Sequence, residues 1–106
     1  MMITTHVLDT STGKPGIRIP VDLDVFITGQ GWIDAGRGVT NLDGRILDFG
    51  EPEAAGIYRL VFDVGVLIPD AFFPTISITF DVRDPNDHYH IPLLLSPFGY
   101  TTYRGQ

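Results

Sequence analysis

Three histidines and two arginines hold most of the reactive potential of this sequence: His6, His88 and His90, with Arg45 and Arg104. His88 and His90 are two residues apart in an alternating run, so an extended backbone turns both to one face. That face reads His88, His90, Pro92, Leu94, while Tyr89, Ile91, Leu93 and Leu95 form the other. His6 lies between Thr5 and Val7, on the face that also carries Thr4 and Leu8. Three chemistries compete for these imidazoles. Each could be an ordinary surface histidine, which is the plain expectation for any one of them alone. The three could ligate zinc, since an i, i+2 pair on a strand can supply two ligands. Or a neutral imidazole could activate water without a metal, its ordinary pKa lying close to working pH. Spacing leaves the last two open, although no Glu or Asp is well placed beside the pair to orient a zinc-bound ring. Arg45 follows the turn Asn41-Leu42-Asp43-Gly44, and Arg104 lies two residues from the end of the chain. A lone arginine in an acidic chain is ordinarily solvated, but its planar fork suits a flat ring bearing carbonyl and ionised nitrogen groups.

Strands must position these side chains, because alternation of period two dominates and helical periodicity is almost absent. Arg18–Thr28 sets Val21, Leu23, Val25 and Ile27 against Asp22, Asp24 and Thr28. Ile57–Val64 aligns Tyr58, Leu60, Phe62 and Val64, and Thr75–Arg83 aligns Ile76, Ile78, Phe80 and Val82. Each reads as a strand with one buried face. Turn chemistry separates the runs at Gly13-Lys14-Pro15-Gly16, Asn41-Leu42-Asp43-Gly44, Asp84-Pro85-Asn86-Asp87 and Ser96-Pro97. Shorter strands are expected at Ile3–Asp9, Gly31–Ala35, Arg45–Asp48, His88–Leu95 and Thr101–Arg104. The pattern predicts an all-β fold, a two-sheet antiparallel β-sandwich of about eight strands. Phe49–Gly56 and Gly65–Phe73 are irregular and leave room for at most one short helix.

Bulk properties narrow the function classes. A chain of 106 residues is expected to form one domain over residues 1–106. Without cysteine, disulfides, thiolate nucleophiles and Cys-type zinc sites are excluded, and a reducing cytoplasm suits the chain. Thirteen acidic against seven basic residues give a formal charge of −6, which repels nucleic acid. Met1–Asp9 has neither a positive leader nor an apolar run, and no segment approaches the roughly 20 apolar residues of a membrane span. The expectation is a soluble, unexported chain with no membrane contact.

Longer stretches carry a resemblance. Thr5-His6-Val7-Leu8-Asp9-Thr10 with Gly13-Lys14-Pro15 comes first, then Thr40-Asn41-Leu42-Asp43-Gly44-Arg45. Gly56-Ile57-Tyr58-Arg59-Leu60, Phe62-Asp63 and Phe73-Pro74 follow. The last is the run from His88-Tyr89-His90-Ile91-Pro92 through Ser96-Pro97-Phe98-Gly99-Tyr100 to Tyr103-Arg104-Gly105. In this order, over nearly the whole chain, they resemble the transthyretin-like family and its 5-hydroxyisourate hydrolase branch. The resemblance implies a cofactor-free, metal-free hydrolase with His6, Arg45 and His90 as the catalytic trio. It implies that the tail Tyr103, Arg104, Gly105 and Gln106 lines the same pocket and binds substrate, and it gives His88 no role beyond the surface.

The same resemblance implies hydrolytic opening of the 5-hydroxyisourate ring at an acyl–nitrogen bond, in urate degradation. One of His6 and His90 would take a proton from water, the other would hydrogen-bond the ring or the oxyanion, and Arg45 would hold the anionic substrate. It further implies a cytoplasmic homotetramer, a dimer of dimers. Two departures stand out. The tail ends in Gln106 where the family usually has Ser, which alters the edge of the pocket. The Gly65–Phe73 connection is short, so the helix that follows the preceding strand in the family is expected to be reduced. The rival readings are a non-catalytic carrier of a small aromatic ligand in a transthyretin-like channel, a zinc hydrolase on His6, His88 and His90, and a purely structural sandwich.

Overall fold

The computed structural model describes residues 2–106; Met1, the start of the N-terminal stretch considered above, lies outside them. Nine strands are present among the described residues: β1 Ile3–Asp9, β2 Lys14–Pro15, β3 Pro20–Ile27, β4 Gly31–Val39, β5 Arg45–Ile46, β6 Gly56–Asp63, β7 Thr75–Val82, β8 Tyr89–Ser96 and β9 Gly99–Thr102. The first sheet runs β2-β1-β8-β9, with β5 also paired to β1; the second runs β4-β3-β6-β7. The alternation reading of the buried faces holds. Tyr58, Leu60, Phe62 and Val64 from the second sheet's side meet Tyr89, Ile91, Leu93 and Leu95 from the first in one core. Val25 is only half-buried and Ile27 is exposed, because β3 outruns the core at its far end and a bulge between Leu23 and Asp24 breaks its register with β4.

Among the described residues every strand pairing is antiparallel except one. β1 and β8 run parallel, with Thr4 opposite His90, Thr5 opposite Ile91 and His6 opposite Pro92. Strands so far apart in sequence share no hairpin, so nothing local sets their relative direction. The buried Thr5 hydroxyl donates to the Ile91 carbonyl at 2.6 Å and helps hold this register. The only helical turn among the described residues is a 3-10 turn at Val64–Val66, so the helix after β6 is reduced as expected. No helix among them is long and apolar enough to cross a membrane.

Candidate active site

The outward face of the first sheet gathers the polar residues that the inward face rejects. In β1, Ile3, Thr5 and Val7 turn inward and are wholly buried, leaving Thr4, His6 and Leu8 on the other side. β5 pairs beside β1 with His6 directly opposite Arg45, which places both side chains on the outward face. β8, on the other edge of β1, sets His90 opposite Thr4. The trio therefore converges from three strands that lie far apart in sequence.

Arg45 is aimed by the turn before it. The Asn41 side-chain oxygen accepts hydrogen bonds from the backbone N–H of Asp43 at 2.9 Å and of Arg45 at 3.0 Å. Gly44 closes the turn at φ +74°, where a Cβ would lie 2.5 Å from the Val7 carbonyl. No L side chain fits that close approach, and the left-handed backbone favours glycine independently. Thr40 anchors the base of the turn: its buried hydroxyl donates to the Gly16 carbonyl at 2.6 Å and accepts from the Ile19 N–H at 2.8 Å.

The tail reaches the site by an interrupted ladder. β9 pairs with β8 from Ser96 to Leu93, leaves it, and returns where the Gly105 N–H donates to the His90 carbonyl at 2.8 Å. Pro92 lies in the gap and has no N–H to offer; its carbonyl is taken by the Thr102 hydroxyl at 2.8 Å. A strand through Thr101–Arg104 was the expectation; Pro92 is the reason that regular pairing ends at Thr102. Gly105 then lies flat on the imidazole: a Cβ there would stand 2.5 Å from His90 Cδ2 and 3.1 Å from Pro92 Cγ.

A cavity of about 250 Å³ opens over this face, lined by Met2, Thr4, Thr5, Arg45, Leu47, His88, His90 and Gln106. Of the expected trio, Arg45 and His90 line it directly. His6 sits beside Arg45 without lining the cavity, close enough for its charge to act on His90. The tail divides. Gln106 lines the cavity and Gly105 packs against His90, whereas Tyr103 and Arg104 line a separate hollow of about 300 Å³ between β7 and the ends of β8 and β9. Arg104 lies over the Tyr89 ring at 4.7 Å and reaches Asp87 at 3.5 Å. Two residues to which the sequence assigns no part in the site are brought into it by the structure. His88 lines the cavity, and Thr4 joins both rings, 3.0 Å from His88 Nε2 and 2.8 Å from His90 Nδ1. Period-two spacing from His6 and from His90 signals their shared faces, but not that the faces adjoin.

Electrostatics favour neutral imidazoles. Burial pushes the pKa of His90 below its ordinary value, and the charge of Arg45 lowers it further, with smaller contributions from His88 and His6. Burial and then Arg45 also lower His6, opposed by the Asp43 carbonyl and carboxylate. Arg45 itself makes no ion pair among the described residues. Among the described residues no three His, Cys, Asp or Glu side chains converge as metal ligands. Chemically the arrangement offers two neutral bases beside an uncommitted cation.

A family model described as HIUase/transthyretin matches residues 3–105. The chain belongs to that family. A 5-hydroxyisourate hydrolase from Ralstonia nicotianae is 44% identical, the match covering 97% of each chain. The uric acid degradation bifunctional protein TTL of Arabidopsis thaliana is 41% identical over 97% of this chain, which spans only 36% of that longer protein. Among solved structures, the 5-hydroxyisourate hydrolase of Klebsiella pneumoniae superposes with a TM-score of 0.83 at 33% identity, covering the whole of both chains. Sea bream transthyretin in complex with thyroxine gives a TM-score of 0.89 at 28% identity, covering 99% of this chain and 95% of that one. Backbone similarity therefore does not separate the hydrolase from the thyroxine-bound transthyretin, and the side chains of the site have to.

Proposed function

We propose that the chain is a 5-hydroxyisourate hydrolase of urate degradation, opening the ring to 2-oxo-4-hydroxy-4-carboxy-5-ureidoimidazoline at the face built from His6, Arg45 and His90. The hydrolase names of its relatives support the activity. The observation that carries the site assignment is Arg45, in no ion pair among the described residues, opposite His6 and in one cavity with His90, with both imidazole pKa values lowered by burial and then by its charge. Arg45 holds the anionic ring and meets the charge that grows on the attacked carbonyl oxygen, a contribution of about 3–4 kcal/mol by analogy with oxyanion donors. A neutral histidine takes a proton from water as the oxygen attacks the acyl carbon, worth roughly 10²–10⁴-fold in rate. The carbon–nitrogen bond then breaks, the nitrogen leaves with a proton, and the acyl carbon becomes a carboxylate. No electron acceptor and no cofactor enters this balance. Gln106 carries the contribution of the tail by lining the cavity, and Gly105 does so by packing on the His90 ring.

The working unit in this proposal is a cytoplasmic homotetramer, a dimer of dimers. The family resemblance and the exposed aromatic residues Phe72, Phe98 and Tyr103 support the assembly, and the absence of cysteine suits the compartment. The test is a spectrophotometric assay on freshly generated 5-hydroxyisourate with wild type, His90→Ala and wild type treated with chelator. Accelerated decay with wild type, chelated or not, and only the spontaneous rate with His90→Ala is the expected result. A wild type no faster than the spontaneous rate overturns the activity, and a sensitive chelated sample overturns its metal-free form.

A further inference from the structure

We propose that Thr4 and His88 are positioning residues that hold His90 as its Nδ1–H tautomer, so that the Nε2 lone pair is the base that receives the proton from water. The inference rests on the hydrolytic reading above. Its geometry is a three-membered chain. The Thr4 oxygen lies 3.0 Å from His88 Nε2 and 2.8 Å from His90 Nδ1, and Thr4 is 6% exposed, so water competes weakly for these bonds. A hydroxyl has a single proton to give. When Thr4 donates it to His88 Nε2, its oxygen is left to accept the His90 Nδ1–H, and the ring presents an unprotonated Nε2. When Thr4 donates to His90 Nδ1 instead, the ring proton moves to Nε2 and the base is lost.

Both arrangements leave every member of the chain partnered, and one observation favours the first. Arg45 lines the same cavity as His90 and lowers its pKa, and a lone pair beside a guanidinium is electrostatically preferred to another N–H. Gly105, flat against Cδ2, keeps the ring from swinging out of this geometry. The chain also accounts for His88, whose exposed ring is otherwise unused by the reaction.

The experiment combines kinetics with nitrogen NMR of the histidine rings. Thr4→Val removes the hydroxyl at nearly constant volume. By analogy with partners that orient metal-bound imidazoles, it should lower kcat about tenfold while KM stays within about twofold. Thr4→Ser restores the hydroxyl and most of the rate. His88→Phe removes only the acceptor for the Thr4 proton, so a smaller fall of about threefold is expected, again in kcat. In ¹⁵N spectra above the titration range of the rings, wild-type His90 should show a protonated Nδ1 and a bare Nε2, and Thr4→Val should lose that preference. A wild-type His90 protonated at Nε2, or Thr4→Val with unchanged kcat, overturns the inference. A wild type without hydrolase activity overturns the function reading, and the NMR arm then still decides whether Thr4 sets the tautomer.

Discussion

Arg45 and Arg59 stand on the outward faces of the two sheets, and their surroundings are opposite. Arg59, in β6, faces Asp24 of β3 in register and holds its carboxylate through Nε at 3.1 Å and Nη2 at 2.7 Å. Its guanidinium also lies over the Trp32 ring at 4.2 Å from the centroid. Both its charge and its flat surface are committed within the fold. Arg45 has a histidine, not a carboxylate, as its cross-strand partner and opens onto a cavity. The two arginines show how one architecture commits one cation to the fold and leaves another facing a cavity. A carboxylate in register cancels the charge, whereas an imidazole leaves it available and has its own pKa lowered by burial and then by that charge.

The contrast is most exposed to substitution of Arg45. Arg45→Ala should lower kcat/KM on 5-hydroxyisourate about 10²–10³-fold, with the urea midpoint almost unmoved. Arg45→Lys should recover only part of the loss, because an ammonium lacks the planar fork. An Arg45→Ala variant retaining a third of the wild-type rate would leave no functional difference between the two cations. Next comes the backbone lying on the site. Gly105→Ala places a methyl 2.5 Å from His90 Cδ2, so either the tail lifts or the ring shifts. Overpacking of this kind costs about 1–3 kcal/mol, and a fall in kcat of about tenfold is expected. Unaltered steady-state kinetics for this variant would mean that the tail does not hold the ring.

On the opposite sheet the effect should move from rate to stability. Asp24→Asn leaves Arg59 without its counter-charge in a pair whose side chains are 28% and 17% exposed, between the surface and buried extremes. A loss of about 1–2 kcal/mol in urea unfolding with unchanged hydrolysis is expected. A drop in activity instead would join the two faces functionally. The smallest effect concerns pH. The proposed reaction uses His6 and His90 as neutral rings, and burial with the Arg45 charge lowers their pKa values, so kcat/KM should hold through neutrality and fall only below 6.5. Removing the charge of Arg45 should move that acid limb upward, while Arg59→Leu should leave it in place. A wild-type limb above 6.5 contradicts the electrostatic account.

Much of this arrangement is local and therefore legible in the chain. Alternation alone names Tyr58, Leu60, Phe62, Ile76, Ile78, Val82, Ile91 and Leu93 as core, and all are buried. It also puts His6 with Thr4 and His90 with His88, because side-chain direction repeats every two residues whatever the strand pairs with. The turn that aims Arg45 is legible for a similar reason: Asn41 and Gly44 build it through their own backbone. The choice of His6, Arg45 and His90 over His88 came from family resemblance, since spacing treats His88 and His90 alike. Tertiary folding settled what no local pattern encodes. The parallel pairing of β1 with β8 joins Thr4 to His90 across 86 residues and brings His88 into the same cavity. The missing N–H of Pro92 splits the tail, sending Tyr103 and Arg104 to one hollow, Gly105 back to His90 and Gln106 to the other cavity. Face is a property of one strand, but register and neighbour are properties of two, and long-range packing selects them only after the intervening chain has closed.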